Sequence, residues 1–201
     1  NRREQTKLSA YWTYASKDGG KAGATGYSAL MAATQPMVSQ QILDAYDFRA
    51  HHRMLDIGGG SGAFAEAIAA ATPSLKLGIF DLPDVITEAQ KRIATTGSVQ
   101  FHCGSFKDTE LPPNYDLITL VRILHDHDDS VVEALLAKVY RALPSGGKLL
   151  VIEPMANSPD AQRMGDGYFG LYLWAMGSGR PRSADELRHM LAKAGFATVK
   201  A

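Results

Sequence analysis

The sequence predicts a doubly wound α/β domain built on a mostly parallel sheet. Short, fully apolar strand candidates alternate with amphipathic or alanine-rich helix candidates. A glycine-rich loop follows the first strand, and an acidic residue ends the second. Right-handed crossovers between such units place helices on both faces and ligands beyond the carboxyl ends of the strands.

The elements follow in order. Residues 1–26 are polar and glycine-rich and read as a lead-in; 28–46 read as helical with a break near Pro36. Arg53–Ile57 is the first strand and Ala63–Ala71 an alanine-rich helix. Leu75–Phe80 is the second strand, with a helix over Asp84–Ile93 that Pro83 can start. Val99–His102 and Leu117–Val121 are the third and fourth strands. From Val131 to Ala142, Val132, Leu135, Leu136 and Val139 repeat at helical spacing. Lys148–Ile152 is a fifth strand after a Pro-Ser-Gly-Gly turn. Two helices follow near 160–176 and 183–194; Gly195 stops the second, and Phe196–Val199 starts a sixth strand.

Composition narrows the function. The 201 residues are 45% hydrophobic and 21% charged, enough for one sizeable core. Lys+Arg and Asp+Glu both number 21, so no basic excess favours nucleic acid. The single cysteine, Cys103, excludes an intrachain disulfide and reads as a small buried residue. No apolar run reaches the roughly 18–20 residues of a membrane span, which fits a cytoplasmic protein, with peripheral membrane contact open. Both ends read as cut from a longer protein.

The glycine loop is Asp56-Ile57-Gly58-Gly59-Gly60-Ser61-Gly62-Ala63. It reads as a dinucleotide fingerprint, with Asp81 placed for ribose hydroxyls, or as the loop of S-adenosylmethionine (SAM) enzymes. Asp56 at the strand end suits a sulfonium and an ammonium better than a pyrophosphate. The loop also has no Lys or Arg for phosphate, which favours SAM. Asp81 doubles as a possible helix N-cap. Leu82, and Ser105 with Phe106 after the third strand, suit an adenine ring.

The fourth strand runs into Arg122-Ile123-Leu124-His125-Asp126-His127-Asp128-Asp129. His125 is the best general base in the chain, its neutral imidazole suited to physiological pH. His127 reads as a polar loop residue and Asp128 and Asp129 as helix-capping acids, so no metal site is expected. Glu153 ends the fifth strand as a second acid or a solvated terminus. The aromatic segment 167–176, with Tyr172 and Met176, fits one wall of an apolar pocket or plain core. Tyr27, Met31 and Met37 fit another wall. Arg180 and Arg182 read as surface or structural.

These motifs together, with Asp81-Leu82-Pro83, Glu153-Pro154-Met155 and the Arg180–Leu187 segment, resemble the SAM-dependent O-methyltransferases of plant caffeate and acetylserotonin type. The resemblance runs from about Tyr27 to the end of the chain. Asp166 to Ser183 most resembles the bacterial carotenoid branch, which holds the demethylspheroidene and hydroxyneurosporene O-methyltransferases. It implies a Rossmann-like class I methyltransferase domain over 27–201, truncated at both ends, with the family's N-terminal dimerisation domain ahead of the lead-in. It implies SAM as cofactor, contacted by Asp56, Gly58, Gly60, Asp81, Leu82, Ser105, Phe106 and Arg122. His125 would be the base, flanked by Glu153, and the full-length protein a homodimer.

Two residues depart from the family: Ser105 stands where many members have an aspartate, and Pro181 where plant relatives place a second glutamate. The expected reaction is methyl transfer to a hydroxyl of an apolar acceptor, a hydroxycarotenoid first. Other readings are a phenolic or polyketide-like acceptor, a nicotinamide-dependent oxidoreductase, and a SAM-binding module without catalysis.

Overall fold

A computed structural model of the chain describes residues 34–93, 99–159 and 161–200. Within these residues the chain forms two compact units, one of 34–121 and 141–151, the other of 122–140 and 152–200.

The first unit carries the sheet. Helix α1 covers 34–45 and runs through Pro36 without the expected break. A proline disturbs only the turn before it, through its missing N–H and the carbonyl four residues back, so the helix beyond it is free to continue. A short 3₁₀ turn, Phe48–Ala50, leads to β1, Arg53–Ile57. Then come α2 (Ala63–Ala71), β2 (Lys76–Asp81), α3 (Pro83–Ile93), β3 (Val99–Cys103) and β4 (Leu117–Val121). Strand β5 spans Lys148–Ile152.

The sheet order is β3-β2-β1-β4-β5. Strand β1 pairs in parallel with both β2 and β4, and β2 with β3. The chain thus winds outward from β1 to β3 and restarts on the other side at β4, which is the doubly wound topology expected. Ligands of such sheets bind where the winding reverses, here beyond the ends of β1 and β4.

Burial explains the strand assignments. Met54, Leu55, Ile57, Ile79, Leu117, Ile118 and Leu120 are fully shielded, each worth about 1.5–3 kcal/mol over exposure. Strand β3 is an edge strand, as is β5, and has a mixed pattern of burial. Cys103, its last residue, is therefore exposed rather than buried.

The second unit is helical. Helix α4, Asp129–Ala142, buries Val132, Leu135, Leu136 and Val139 as the periodicity predicts, but starts two residues earlier than expected. The helix expected near 160–176 is divided. A π-helix spans Arg163–Phe169, and α5 continues from Gly170 to Met176. Buried Gly165 lets this segment lie on the backbone of Met155, where a Cβ would overlap the carbonyl oxygen.

Helix α6, Ala184–Ala194, opens with a reciprocal capping box between Ser183 and Glu186. Beyond it no sixth strand forms among the described residues. Gly195 N–H bonds the Ala192 carbonyl and Phe196 N–H the Leu191 carbonyl, a Schellman cap. Phe196 packs edge-on against Tyr140, centroids 5.3 Å apart. A strand needs a neighbour for its N–H and C=O groups; the helix cap and this aromatic contact claim the start of the segment.

Gly62 at the start of α2 tests the packing. Its φ is +78°, and a Cβ there would overlap the buried Ile93 side chain, whereas Gly60, φ +58°, has nothing within 4 Å of its Cβ position. Gly62→Ala should destabilise the chain by about 2–5 kcal/mol and Gly60→Ala by only about 1–2. Urea denaturation of the two variants, with equal losses as the contrary result, checks this.

Candidate active site

The turn after β1 is built by hydrogen bonds that the glycines permit. Gly58 N–H donates to the Phe80 carbonyl at 2.8 Å, and Gly62 N–H to Gly59 at 3.0 Å. Gly58, Gly60 and Gly62 all have positive φ. A Cβ on Gly59 would lie 2.9 Å from both Asp56 Oδ2 and Ile79 Cγ2. The loop therefore folds closely over the end of β1 and leaves Gly60 open.

Asp81 ties this loop down. Its Oδ2 accepts from Gly60 N–H at 2.8 Å and its Oδ1 from Leu82 N–H at 2.7 Å. The carboxylate thus serves the glycine loop rather than capping α3. Burial raises its pKa, opposed by these two bonds. A carboxylate accepts about four hydrogen bonds, so capacity remains for two ribose hydroxyls. Leu82, Ser105 and Phe106 are half-buried; Ser105 Oγ accepts from Lys107 N–H at 3.2 Å in the turn after β3.

Asp56 faces inward. It is 2% exposed, and its Oδ1 accepts from Thr119 Oγ1 on β4 at 2.7 Å. Burial pushes its carboxyl up to about 7, against the Thr119 bond and with the Asp81 charge adding to the rise.

In the helical unit, Arg122 takes the left-handed backbone region, φ 58°, as the chain leaves β4. A single turn of 3₁₀ helix, Leu124–Asp126, follows. Glu153 closes its amide end. Oε1 accepts from Ile123 N–H at 2.8 Å and Leu124 N–H at 2.6 Å, and Oε2 from His125 N–H at 3.3 Å. The same Oε2 lies 2.5 Å from His125 Nδ1. Glu153 is thus no solvated terminus; its side chain is 4% exposed.

On the other side of the imidazole, Nε2 lies 3.1 Å from Asp126 Oδ1. Burial alone would depress the His125 pKa, but the Asp126 and Glu153 charges outweigh it and raise the pKa above 6.5. The imidazole is thus flanked by two carboxylates whose charges favour its protonated form.

Phe169, the last residue of the π-helix, stands edge-on to His125 with centroids 5.9 Å apart. Tyr172 packs against both Phe169 and Tyr168. Sequence reading gave the aromatic segment but not Phe169 as the ring beside the base. Met176 is 3% exposed and belongs to the core, while Met37 is well exposed. Tyr27 and Met31 lie outside the described residues.

The neighbours of His125 also differ from the simple capping picture. Asp128 Oδ1 accepts from Gly179 N–H at 3.0 Å, and Asp129 pairs with Arg180 and Arg182. Arg182 is 3% exposed, a buried structural cation. His127 is half-buried, and its carbonyl accepts from Arg182 at 2.7 Å.

The profile of the O-methyltransferase domain family matches residues 7–197. The chain belongs to this family.

It is 44% identical over 200 residues to demethylspheroidene O-methyltransferase of Rhodobacter capsulatus, covering 97% of this chain and 50% of that protein. The corresponding Cereibacter sphaeroides protein is 38% identical, with 98% and 53% covered. The structure of human N-acetylserotonin methyltransferase in complex with SAM superposes with a TM-score of 0.82 at 26% identity, covering 90% of this chain and 52% of that one. The chain thus spans about half the length of the relatives it matches. These likenesses bear out the class I methyltransferase fold and the O-methyltransferase family.

The residues present fit SAM. Gly60 leaves open space over the loop, the loop itself carries no basic side chain, and Asp81 keeps acceptor capacity beside it.

Asp56 generates a pH prediction. Its folded pKa lies above the unfolded 3.8, so the native state holds the proton longer and stability falls as pH rises from about 4 to 7. Asp56→Asn keeps an acceptor for Thr119 and should gain on the wild type across that window, by up to about 4 kcal/mol. Urea denaturation between pH 4 and 8 measures it; parallel pH profiles would contradict it.

Proposed function

We propose that the chain is the catalytic part of a SAM-dependent O-methyltransferase acting on an apolar hydroxylated acceptor, a hydroxycarotenoid first. The observation that carries this reading is the buried His125 with Nδ1 held by Glu153. The likeness to the demethylspheroidene enzymes supports the acceptor class. Residues 27–201 are the catalytic domain, 1–26 lead into it, and the full-length protein is a homodimer.

Gly58, Gly60, Asp81, Leu82, Ser105, Phe106 and Arg122 would hold the cofactor, with Asp81 on the ribose hydroxyls and Asp56 acting through its charge from behind the glycine loop. When bound, SAM supplies a methyl group on a cationic sulfur, a strong electrophile needing no metal. Glu153 accepts the Nδ1 proton; once the ring gives up its second proton, Nε2, beside Asp126, is the nitrogen that meets the acceptor. An alcohol is too weak an acid to ionise first, so His125 Nε2 would take the hydroxyl proton of the acceptor as its oxygen displaces the thioether sulfur from the methyl group that SAM would supply. Glu153 and Asp126 then steady the imidazolium. Phe169 and Tyr172 offer the acceptor an apolar surface. Among the described residues no helix is long and apolar enough to cross a membrane; on this reading the acceptor is collected at a membrane surface or from a partner.

Asp81→Ala should weaken SAM binding at least about 100-fold, since each lost charged hydrogen bond is worth about 1.5–3 kcal/mol. Unchanged affinity by calorimetry would remove Asp81 from the site. His125→Gln should lower kcat by roughly 10²–10⁴-fold with SAM affinity kept within a few-fold. In the wild type kcat should climb with pH through an apparent pKa above 6.5, because the ring must lose its proton to act. Transfer of labelled methyl to hydroxycarotenoids, set against small phenols, tests the acceptor; methylation of phenols alone overturns the carotenoid reading.

A further inference from the structure

The 3₁₀ turn that carries His125 is only three residues long, so it cannot hold itself by a ladder of its own. Its amides are taken by Glu153. Its carbonyls are taken by a second segment, 178–182. Arg182 Nη1 donates to the Leu124 carbonyl at 2.7 Å and Nη2 to the His127 carbonyl at 2.7 Å. Nε and Nη2 bond Asp129 Oδ1 at 3.0 and 2.7 Å, and Nη1 reaches the Arg180 carbonyl at 3.4 Å. Each of the five guanidinium N–H groups has an acceptor. Ser178 Oγ donates to the Asp126 carbonyl at 3.0 Å. Gly179, φ +75°, lies so close that a Cβ would overlap the His125 carbonyl oxygen.

The turn therefore has an anion at its amide end and a cation at its carbonyl end, the arrangement its peptide dipoles favour. The ring bond to Glu153 requires the His125 backbone to stay in place, and Arg182 fixes the carbonyls on either side of it.

We propose that Arg182 is a positioning residue for His125, acting through the Leu124 and His127 carbonyls and anchored by Asp129. This rests on His125 as the base. Lysine keeps the charge but has three donors and no planar fork, so Arg182→Lys isolates the geometry. Asp129→Asn loosens the anchor more gently, should the first variant fold poorly.

The expected result for Arg182→Lys is a folded protein whose kcat falls roughly 10–100-fold, the scale of a small misplacement, with SAM affinity unchanged within about twofold. The His125 ring titration, followed by NMR, should move back toward 6.5 as the contacts with Glu153 and Asp126 loosen. Asp129→Asn should shift both in the same direction and by less. Folded variants with unaltered kcat and ring titration would overturn the proposal. The ring titration separates it from the base assignment: if His125→Gln retains turnover the base reading fails, while an unmoved titration in Arg182→Lys rejects the positioning role.

Discussion

Glu153 holds the helical unit's chemistry in place. One nearly solvent-free carboxylate accepts from the amides of Ile123, Leu124 and His125 and from the His125 ring. Burying a carboxylate is costly unless its lone pairs are satisfied, and here the satisfaction comes from the turn it must orient. Backbone and side chain of His125 are therefore fixed by the same group. Any change that moves the turn moves the ring, which is why the carbonyl side of the turn matters as much as the amide side.

In the sheet unit the corresponding constraint is the Asp81–Gly60 bond. It links the end of β2 to the loop after β1, so loop and acid take up one geometry together. The buried Asp56–Thr119 pair does the same between β1 and β4. Both acids were singled out for a ligand; both already have structural partners. Asp56 in particular is turned into the protein, and its influence on a bound cation would pass through a protonation equilibrium as well as a fixed charge.

Much of this was legible in the sequence because it follows from local pattern. Strands β1, β4 and β5 have the bounds their apolar runs predict, and the buried face of α4 follows the 3.6-residue period. His125 and Glu153 were found because each follows the carboxyl end of a strand. What sequence could not give depends on distant partners. Cys103 is exposed because β3 is an edge strand, a matter of strand order. Arg182 reads as one more basic residue in a turn until its four acceptors, three of them more than fifty residues away in the chain, are brought around it. The role of Phe169 was hidden by the π-helix, which no propensity of Arg163–Phe169 announces.

That π-helix carries a consequence of its own. Each residue of an α-helix turns the chain by about 100°, and a π segment behaves as an α-helix holding one residue too many. Phe169 meets His125 at one edge of this segment, while Gly165 rests on the Met155 backbone at the other. The surplus residue sets the phase between these two contacts. A chain one residue shorter here could keep its helix and its docking glycine yet carry a different side chain to the imidazole. Length variation at this point is thus a route by which related chains can change what lies against the base while leaving the base itself untouched.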